Sequence, residues 1–203
     1  MPGSSVSIVQ TGVANTASVA AALERCGASV SNAQTAADVG RAAYLVLPGV
    51  GSFGAGMVAL QEARLVGALR ARIEADRPTL AICLGMQLLC SSSEESPGVS
   101  GLGVIDARVE ALSEPARPRF GWNRVVPDAD CDAIDEGLAY YANAFGVCDR
   151  PVGWGCAMSE LERPFVGAIQ RGSVVACQFH PELSGPWGLG LLRRWMGAEV
   201  AAC

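Results

Sequence analysis

The residues with the clearest capacity for chemistry in this sequence are a single histidine and eight cysteines. His180 is the only histidine in 203 residues, and it stands in the stretch VVACQFHPELS, with Glu182 two positions later. In an extended segment, side chains at i and i+2 share a face. A carboxylate at Glu182 can then fix the tautomer of the His180 ring and stabilise its imidazolium form. The pair predicts a general base; the alternative is a core histidine beside a solvated glutamate.

The stretch LAICLGMQLL contains the best candidate for a nucleophile. A short buried strand runs into Cys83, and a tight glycine turn and a helix follow, which is the pattern of a nucleophile elbow with sulfur in place of a hydroxyl. This geometry places Cys83 at a helix N-terminus, which favours a thiolate. The backbone N–H of Leu84 would face a developing oxyanion, and Gln87 lies on the same helical face as Cys83. The alternative is a buried structural cysteine.

The stretch PGVGSFG has the spacing G-x-G-x-x-G at Gly49, Gly51 and Gly54, with Glu74 further along the chain. One interpretation is a dinucleotide-binding loop. It is disfavoured because the loop follows an inner strand and Glu74 stands in a helical stretch, whereas the ribose-binding acid belongs at the end of a second strand. The other interpretation is a loop of small residues that aims a backbone N–H at an oxyanion.

Composition narrows the possible partners. Half of the residues are hydrophobic, the formal net charge is −5, and all 15 basic residues are arginines that form no basic run. Nucleic acid and anionic membranes are therefore not expected partners. The sequence has no apolar run of about 20 residues and no secretory signal pattern near its beginning, so we expect a cytoplasmic protein.

The cysteines are scattered along the chain, and no two form C-x-x-C. With a single histidine, this spacing does not favour a zinc site. We expect mostly reduced, buried thiols rather than disulfides.

The elements that must position these residues alternate between strand and helix in the first half. Strands are predicted at 6–10 and 28–32 and in TLAIC, and RAAYLVLPGVGSFGAG is predicted to form a strand, a glycine-rich loop and the start of a helix. Helices are predicted after Asn15 as N-cap and up to Gly27, over MVALQEARLVGALRARIEADRP before Pro78, and over LGMQLLCSS. This order predicts a three-layer, doubly wound α/β fold with a largely parallel sheet.

After residue 100 the predicted elements are mostly strands, with little helix between them. GLGVIDARVEAL, FGWNRVV and PFVGAIQRGSVVACQFH read as strands, the last with a hairpin turn at Arg171–Gly172. A final helix is predicted over GLGLLRRWMGAEV. We expect an added antiparallel region in the C-terminal half and a single domain over residues 1–203.

Cys83 in ICLGMQ together with QFHPE near the C-terminus resembles the triad, or class I, glutamine amidotransferases. Within that family, LPGVGSFG, LGMQLLCSSSEES and FGWN are most similar to the glutaminase subunits of imidazole glycerol phosphate synthases. The resemblance implies Cys83 as nucleophile, His180 as general base and acid, and Glu182 as the orienting carboxylate. It also implies Gly49, Val50 and Gly51 at the oxyanion loop beside Leu84, and Gln87 and Glu95 at the substrate L-glutamine.

The resemblance further implies glutamine hydrolysis through a Cys thioester, without a metal or an organic cofactor. The ammonia would pass to a (β/α)₈ cyclase or synthase subunit that makes imidazole glycerol phosphate for histidine biosynthesis, as a heterodimer. Five residues in three places depart from the family pattern. Ala81 replaces a glycine, Asn143-Ala144-Phe145 replaces His-Ser-Tyr, and Leu183 replaces a lysine.

These departures leave two alternatives open. A paralogous glutaminase could supply ammonia to a different synthase, such as a sugar amidotransferase. A non-catalytic partner-binding subunit that keeps the fold is the second alternative, and the intact Cys83, His180 and Glu182 argue against it.

Overall fold

The computed structural model describes residues 4–10, 16–113, 115–160 and 163–197. Asn15, Cys203 and the end of the predicted last helix, residues 198–200, lie outside the described residues. The helices are α1 Thr16–Arg25, α2 Ala36–Arg41, α3 Phe53–Glu62, α4 Val66–Glu74, α5 Leu84–Leu88 and α6 Gly185–Trp195. The strands are β1 Ser5–Val9, β2 Ser29–Ala33, β3 Tyr44–Leu47, β4 Thr79–Ile82, β5 Cys90–Ser93, β6 Ile105–Ala111, β7 Arg119–Pro127, β8 Gly137–Asn143, β9 Phe145–Val147, β10 Gly155–Ser159, β11 Phe165–Arg171 and β12 Val174–Cys177.

The main sheet has the strand order β2-β1-β3-β4-β12-β11-β10-β7-β8 within the described residues. From β2 to β12 all neighbours are parallel, and from β12 to β8 all are antiparallel. A smaller sheet has the order β5-β6-β9. The predicted doubly wound sheet with an antiparallel C-terminal region is therefore confirmed.

The inner parallel strands β3 and β4 are buried on both faces because helices cover both. In β3, Leu45 and Leu47 point to the side of α2, α3, α4 and α5, and Val46 points to the side of α1 and α6. Strand β4 follows the same alternation, with Ala81 on the first side and Leu80 on the second. This period of two explains why these strands read as continuous apolar runs in the sequence.

The long helix predicted before Pro78 is wrong, because the chain forms two helices there. A left-handed residue, Arg64 (φ 58°), separates α3 from α4. The N–H of Leu65 donates to the carbonyl of Leu60 at 2.9 Å, which closes α3. A continuous helix would place charged Arg64 one turn after buried Leu60, on the core side. The break instead buries Leu65 and leaves Arg64 exposed.

The helix predicted over LGMQLLCSS is also too long. Helix α5 ends at Leu88, and the next residues form β5. The carbonyl of Leu88 accepts the N–H of Leu102 at 2.8 Å, and the carbonyl of Cys90 accepts that of Gly103 at 3.1 Å. A distant segment thus takes the carbonyls that a longer helix would use.

Other local predictions fare better. Gly27 ends α1 with φ 87°, as expected. The hairpin of β11 and β12 is confirmed, although its turn lies at Gly172–Ser173, one residue later than predicted. The short helix α2, capped by Thr35 and Asp38, was not predicted. Among the described helices, none has the length and apolar character needed to cross a membrane.

Candidate active site

Cys83 occupies a sharp turn at the carboxyl end of β4. Its backbone has φ 53° and ψ −110°, a region that costs a non-glycine residue about 1–3 kcal/mol. Its N–H donates to the carbonyl of Cys177 on β12 at 2.7 Å. The turn also needs Gly85, because a Cβ there would stand 2.0 Å from the carbonyl oxygen of Leu47. The predicted elbow is therefore present.

His180 and Glu182 are in contact, but not for the predicted reason. Pro181–Leu183 forms a 3₁₀ turn instead of continuing an extended strand. The turn brings Oε1 of Glu182 to 2.8 Å from Nδ1 of His180. The two side chains are only 9% and 5% exposed, so the pair is shielded from water and its interaction is strong.

The backbone of His180 is held from two sides. Its N–H donates to the carbonyl of Tyr140 at 2.9 Å. Its carbonyl accepts the hydroxyl of Ser184 at 2.6 Å, and that hydroxyl oxygen accepts the N–H of Tyr140 at 3.0 Å. Strand β8 thus fixes where the imidazole stands.

The electrostatics of the site favour a charged imidazole. Burial by itself lowers the pKa of His180, but hydrogen bonds and charges from Cys83 and Glu182 outweigh it and raise the pKa to about 10. The ring accordingly has Glu182 on Nδ1 and the Cys83 sulfur as its other hydrogen-bond partner. A sulfur, an imidazole and a carboxylate in series form a nucleophile–base–orienter arrangement.

A cavity of about 350 Å³ opens onto Cys83 and His180. Most of the residues predicted for the site line it, namely Val50, Gly51, Cys83, Leu84, Gln87, Glu95 and His180. Gly49 and Glu182 line an adjoining cavity of about 180 Å³. The structure therefore brings all nine predicted residues to one edge of the sheet, where the parallel strands end.

The glycine-rich loop packs directly against the elbow. A Cβ on Gly49 would be 2.9 Å from Cβ of Leu84 and 3.0 Å from the backbone nitrogen of Gly85. Gly51 has φ 95°. As the first residue of α5, Leu84 has an N–H without an acceptor inside its own helix. Loop and helix start can therefore both present N–H groups to a developing oxyanion.

Glu95 is fixed at the start of α3 across the cavity. Its Oε2 accepts the N–H of Phe53 at 2.7 Å, and the hydroxyl of neighbouring Ser96 accepts the N–H of Gly54 at 2.9 Å. The other carboxylate oxygen of Glu95 remains available to a cationic group in the cavity.

The position of Glu74 does not support the dinucleotide interpretation of the glycine-rich loop. Glu74 ends α4, and the chain then enters β4 at the opposite edge of the sheet, away from this loop.

Sequence reasoning missed Gln178, which is 0% exposed. Its Nε2 donates to Sγ of Cys83 at 3.5 Å, and its Oε1 accepts from Nε2 of Gln87 at 3.0 Å. Nε2 of Gln87 also donates to the carbonyl of Phe145 at 3.0 Å. The available signal was the spacing of Gln178 and His180, since i and i+2 share a face in an extended segment.

The other described cysteines have surroundings that disfavour a thiolate. Burial raises the pKa of Cys90 to about 12, and it raises the pKa of Cys177 well above the usual range of a thiol. Burial, with smaller effects of neighbouring Cys156, Asp128 and Asp132, also raises the pKa of Cys131 to about 12. It raises the pKa of Cys26, Cys148 and Cys156 as well. Cys83 differs from these cysteines in having the His180 ring and the Gln178 amide as partners.

A second cavity, of about 370 Å³, lies at the opposite edge of the main sheet, where β3, β4 and β12 begin. Its lining residues include Tyr44, Asp132, Ser173 and Arg194 but no cysteine or histidine. It therefore lacks the nucleophile–base pair of the first cavity. Over the described part of the chain, no group of three or more His, Cys, Asp or Glu residues could hold a metal ion.

Comparison with known proteins gives a consistent picture. A family model described as glutamine amidotransferase class-I matches residues 7–196. A Pyrobaculum aerophilum protein named imidazole glycerol phosphate synthase subunit HisH is 38% identical over 196 residues, 94% of this chain and 96% of the relative. A Deinococcus radiodurans protein of the same name is 40% identical over 195 residues, 92% of this chain and 90% of the relative.

A longer relative from Arabidopsis thaliana is named imidazole glycerol phosphate synthase hisHF, chloroplastic. It is 37% identical over 205 residues, which cover 97% of this chain but only 35% of the Arabidopsis protein. Among solved structures, one titled crystal structure of glutamine amidotransferase superposes with a TM-score of 0.74 at 18% identity, over 95% of this chain and 99% of the other. At that identity the likeness concerns the fold alone.

Proposed function

Because this chain belongs to the class I glutamine amidotransferase family, we propose that it hydrolyses the side-chain amide of L-glutamine and delivers the ammonia to a synthase subunit. The observation that carries the proposal is the series of Cys83, His180 and Glu182, in which His180 lines both the cavity of Cys83 and the adjoining cavity of Glu182. Each member has the chemical role that amide hydrolysis through a thioester requires. The whole of residues 1–203 acts as one glutaminase domain in this proposal.

The first half of the reaction forms the thioester. The thiolate of Cys83 attacks the amide carbon of glutamine, a C–S bond forms, and the carbonyl oxygen becomes an oxyanion. The N–H of Leu84 and those of the Gly49–Gly51 loop stabilise this charge, and each such donor contributes about 10²–10³ to the rate in related chemistry. The imidazolium of His180 gives its proton to the leaving nitrogen, the C–N bond breaks, and ammonia departs.

The second half releases glutamate. Neutral His180 takes a proton from water, the resulting hydroxide attacks the thioester, and the C–S bond breaks to regenerate the Cys83 thiolate. Glu182 stabilises the imidazolium and holds the ring. At the other end of the cavity the free oxygen of Glu95 binds the α-ammonium group of glutamine. At the junction of β8 and β9, around Ala144, backbone N–H groups bind its α-carboxylate.

The names of the relatives support a specific acceptor. We propose the cyclase subunit of imidazole glycerol phosphate synthase, a (β/α)₈ protein, as the heterodimeric partner in the cytoplasm, in histidine biosynthesis. The Pyrobaculum and Deinococcus relatives are both named as one subunit, HisH, of this synthase. The longer Arabidopsis relative carries the joint name hisHF, and this chain matches only 35% of its length.

An exposed apolar rim at the site supports a docked partner. Because β7 and β8 pair antiparallel in register, Phe120, Trp122, Leu138 and Ala142 lie on one face of the pair, and Phe120 reaches the cavity. Exposed members of the rim, on this face and beside the triad, are Val50, Phe120, Trp122, Leu138 and Leu183. Several exposed apolar side chains near the mouth of a site are typical of a protein interface.

One residue favours a second acceptor. The family usually has a lysine at the position of Leu183, beside Glu182. A lysine there could form an ion pair with the synthase, and Leu183 cannot. This feature suits a paralogous glutaminase that serves a different synthase, such as a sugar amidotransferase. Both synthases therefore belong in the same binding assay.

The proposal is tested by kinetics in the presence of the synthase. Cys83→Ala and His180→Asn should each lower ammonia release by about 10³-fold or more. Glu182→Gln should be less damaging, since it orients the ring and transfers no proton. Gln170→Met, far from the cavity, is the control. Full activity of Cys83→Ala would reject the mechanism, and a larger loss in Glu182→Gln than in His180→Asn would reject the assigned roles.

A further inference from the structure

Four groups form a continuous hydrogen-bonded chain from the cavity wall to the nucleophile. The carbonyl of Phe145 accepts from Nε2 of Gln87, Oε1 of Gln178 accepts from the same nitrogen, and Nε2 of Gln178 donates to Sγ of Cys83. Nδ2 of Asn143 donates to the same Phe145 carbonyl at 3.0 Å. This chain links the junction of β8 and β9, which lines the cavity, to the sulfur that reacts.

The direction of this chain is fixed at one end. A backbone carbonyl only accepts, so the amide atom of Gln87 that faces Phe145 must be its nitrogen. The second hydrogen of that nitrogen needs an acceptor, which makes the facing atom of Gln178 its oxygen. The remaining end of the Gln178 amide, the NH₂ group, therefore faces Cys83. The side chain has no free choice of orientation, because it is fully buried.

An N–H group aimed at sulfur favours the thiolate over the thiol. A thiolate is a strong acceptor, and hydrogen bonds to charged groups are stronger than those between neutral groups. We infer that Gln178 is a further catalytic residue, which contacts the reacting sulfur of Cys83 and holds it as a thiolate in line with His180. This inference rests on the proposed function, in which Cys83 is the nucleophile.

The same chain of hydrogen bonds limits which atom of the Gln87 amide can bind a ligand. Both hydrogens of its Nε2 are committed to Phe145 and Gln178. Only Oε1 is left for a ligand, so Gln87 contacts glutamine as a hydrogen-bond acceptor, toward an N–H of the substrate.

The test is the alkylation of Cys83 by iodoacetamide, followed by peptide mapping, with the purified full chain. In Gln178→Met the side chain keeps its length but loses its donor. Alkylation of Cys83 at neutral pH should slow about ten- to a hundredfold, while in alkaline buffer, where the thiol ionises without help, the rate should return to within about threefold of the native rate. Other groups around the sulfur, namely His180, Glu182, Cys177 and Glu95, are the same in both proteins.

Two further variants separate this role from a purely structural one. Gln170→Met makes the same change on β11, away from Cys83, and should leave alkylation unchanged. Gln178→Asn keeps an amide in the core but is one methylene too short to reach both partners, so it should slow alkylation at neutral pH even if Gln178→Met does not fold. With glutamine and the synthase, kcat should fall in proportion while KM stays within about threefold.

The outcomes are distinguishable. Native alkylation rates in the Gln178 variants, or losses that are equal at neutral and alkaline pH, would overturn the role of Gln178 and leave the glutaminase proposal standing. If Cys83 in the native protein reacts no faster than Cys90 or Cys177, the assignment of the nucleophile fails first, and the inference fails with it.

Discussion

At the residue scale, the site couples a strained nucleophile to a buried histidine–carboxylate pair. The positive φ of Cys83 is a cost that the surrounding sheet and helix must offset. The strained turn places the sulfur on one side of the His180 ring, and Glu182 lies on the other side. The raised pKa of His180 means that its imidazolium is stabilised by folding. This stabilisation is complete below 6.5, the ordinary pKa of a histidine, and is lost as the pH rises through about 10.

The single histidine makes this pKa directly measurable. In protein without a histidine tag, one imidazole signal should titrate in NMR spectra with a midpoint well above that of a free histidine. Cys83→Ala removes the hydrogen bond and negative charge that favour the imidazolium, so the midpoint should fall. Cys90→Ala, a change of another buried cysteine, should leave it in place. An unshifted midpoint in Cys83→Ala would show that sulfur and imidazole are not coupled.

At the element scale, the elbow depends on how closely α5 approaches β3. Gly85→Ala would place a Cβ 2.0 Å from the carbonyl oxygen of Leu47, so strand and helix must separate. We expect a loss of stability of about 1–3 kcal/mol and a loss of turnover. The control is Gly67→Ala in α4, where no atom lies within 4 Å of the added Cβ. That change should stabilise by about 0.5–1 kcal/mol. Urea unfolding of both variants checks the contrast, and equal stabilities would refute it.

Another element-scale feature is the buried guanidinium of Arg72 in α4. It donates to Thr79 Oγ1 and to the carbonyls of Val39, Ala42, Ala43 and Pro78. Burial and the charge of Arg77 lower its pKa to about 10, which leaves it charged at neutral pH.

Loss of this cation should be costly, since its acceptors stay buried without a donor. Arg72→Met should destabilise the protein by about 3 kcal/mol or more. Arg70→Met, an exposed position in the same helix, should change stability by less than about 0.5 kcal/mol. Matching denaturation midpoints for the two variants would contradict this role.

At the scale of the whole molecule, the apolar rim places a partner over the mouth of the site. A closed interface excludes water and can complete the oxyanion hole, so glutamine hydrolysis should be slow alone and faster with the synthase and its nucleotide substrate. Leu183→Asp puts a charge in the rim and should weaken the complex about tenfold or more. Val152→Asp, at a position that is 97% exposed and away from the rim, should not. Calorimetry and size-exclusion chromatography report the binding. Equal rates in all mixtures, with no complex, would reject this synthase and favour the paralogue.

Local pattern was sufficient for a large part of this protein. The buried strands, the elbow at Cys83 and the β11–β12 hairpin follow from apolar runs, glycine positions and chain reversal within a few residues. The candidate residues Cys83, His180 and Glu182 were found in the same way, because parallel strands bring their carboxyl ends to one edge whatever the details of packing.

Contacts between distant segments decided the rest. The α3–α4 break depends on which of Arg64 and Leu65 meets the core, and the end of α5 depends on residues 102–105 taking its carbonyls. The 3₁₀ turn that joins Glu182 to His180 and the amide chain through Gln178 form only when β8, α5 and β12 meet. Hydrophobic periodicity records which face of a segment is buried. It does not record which buried polar groups will find each other, because their partners lie far apart in sequence and are chosen by the packed fold.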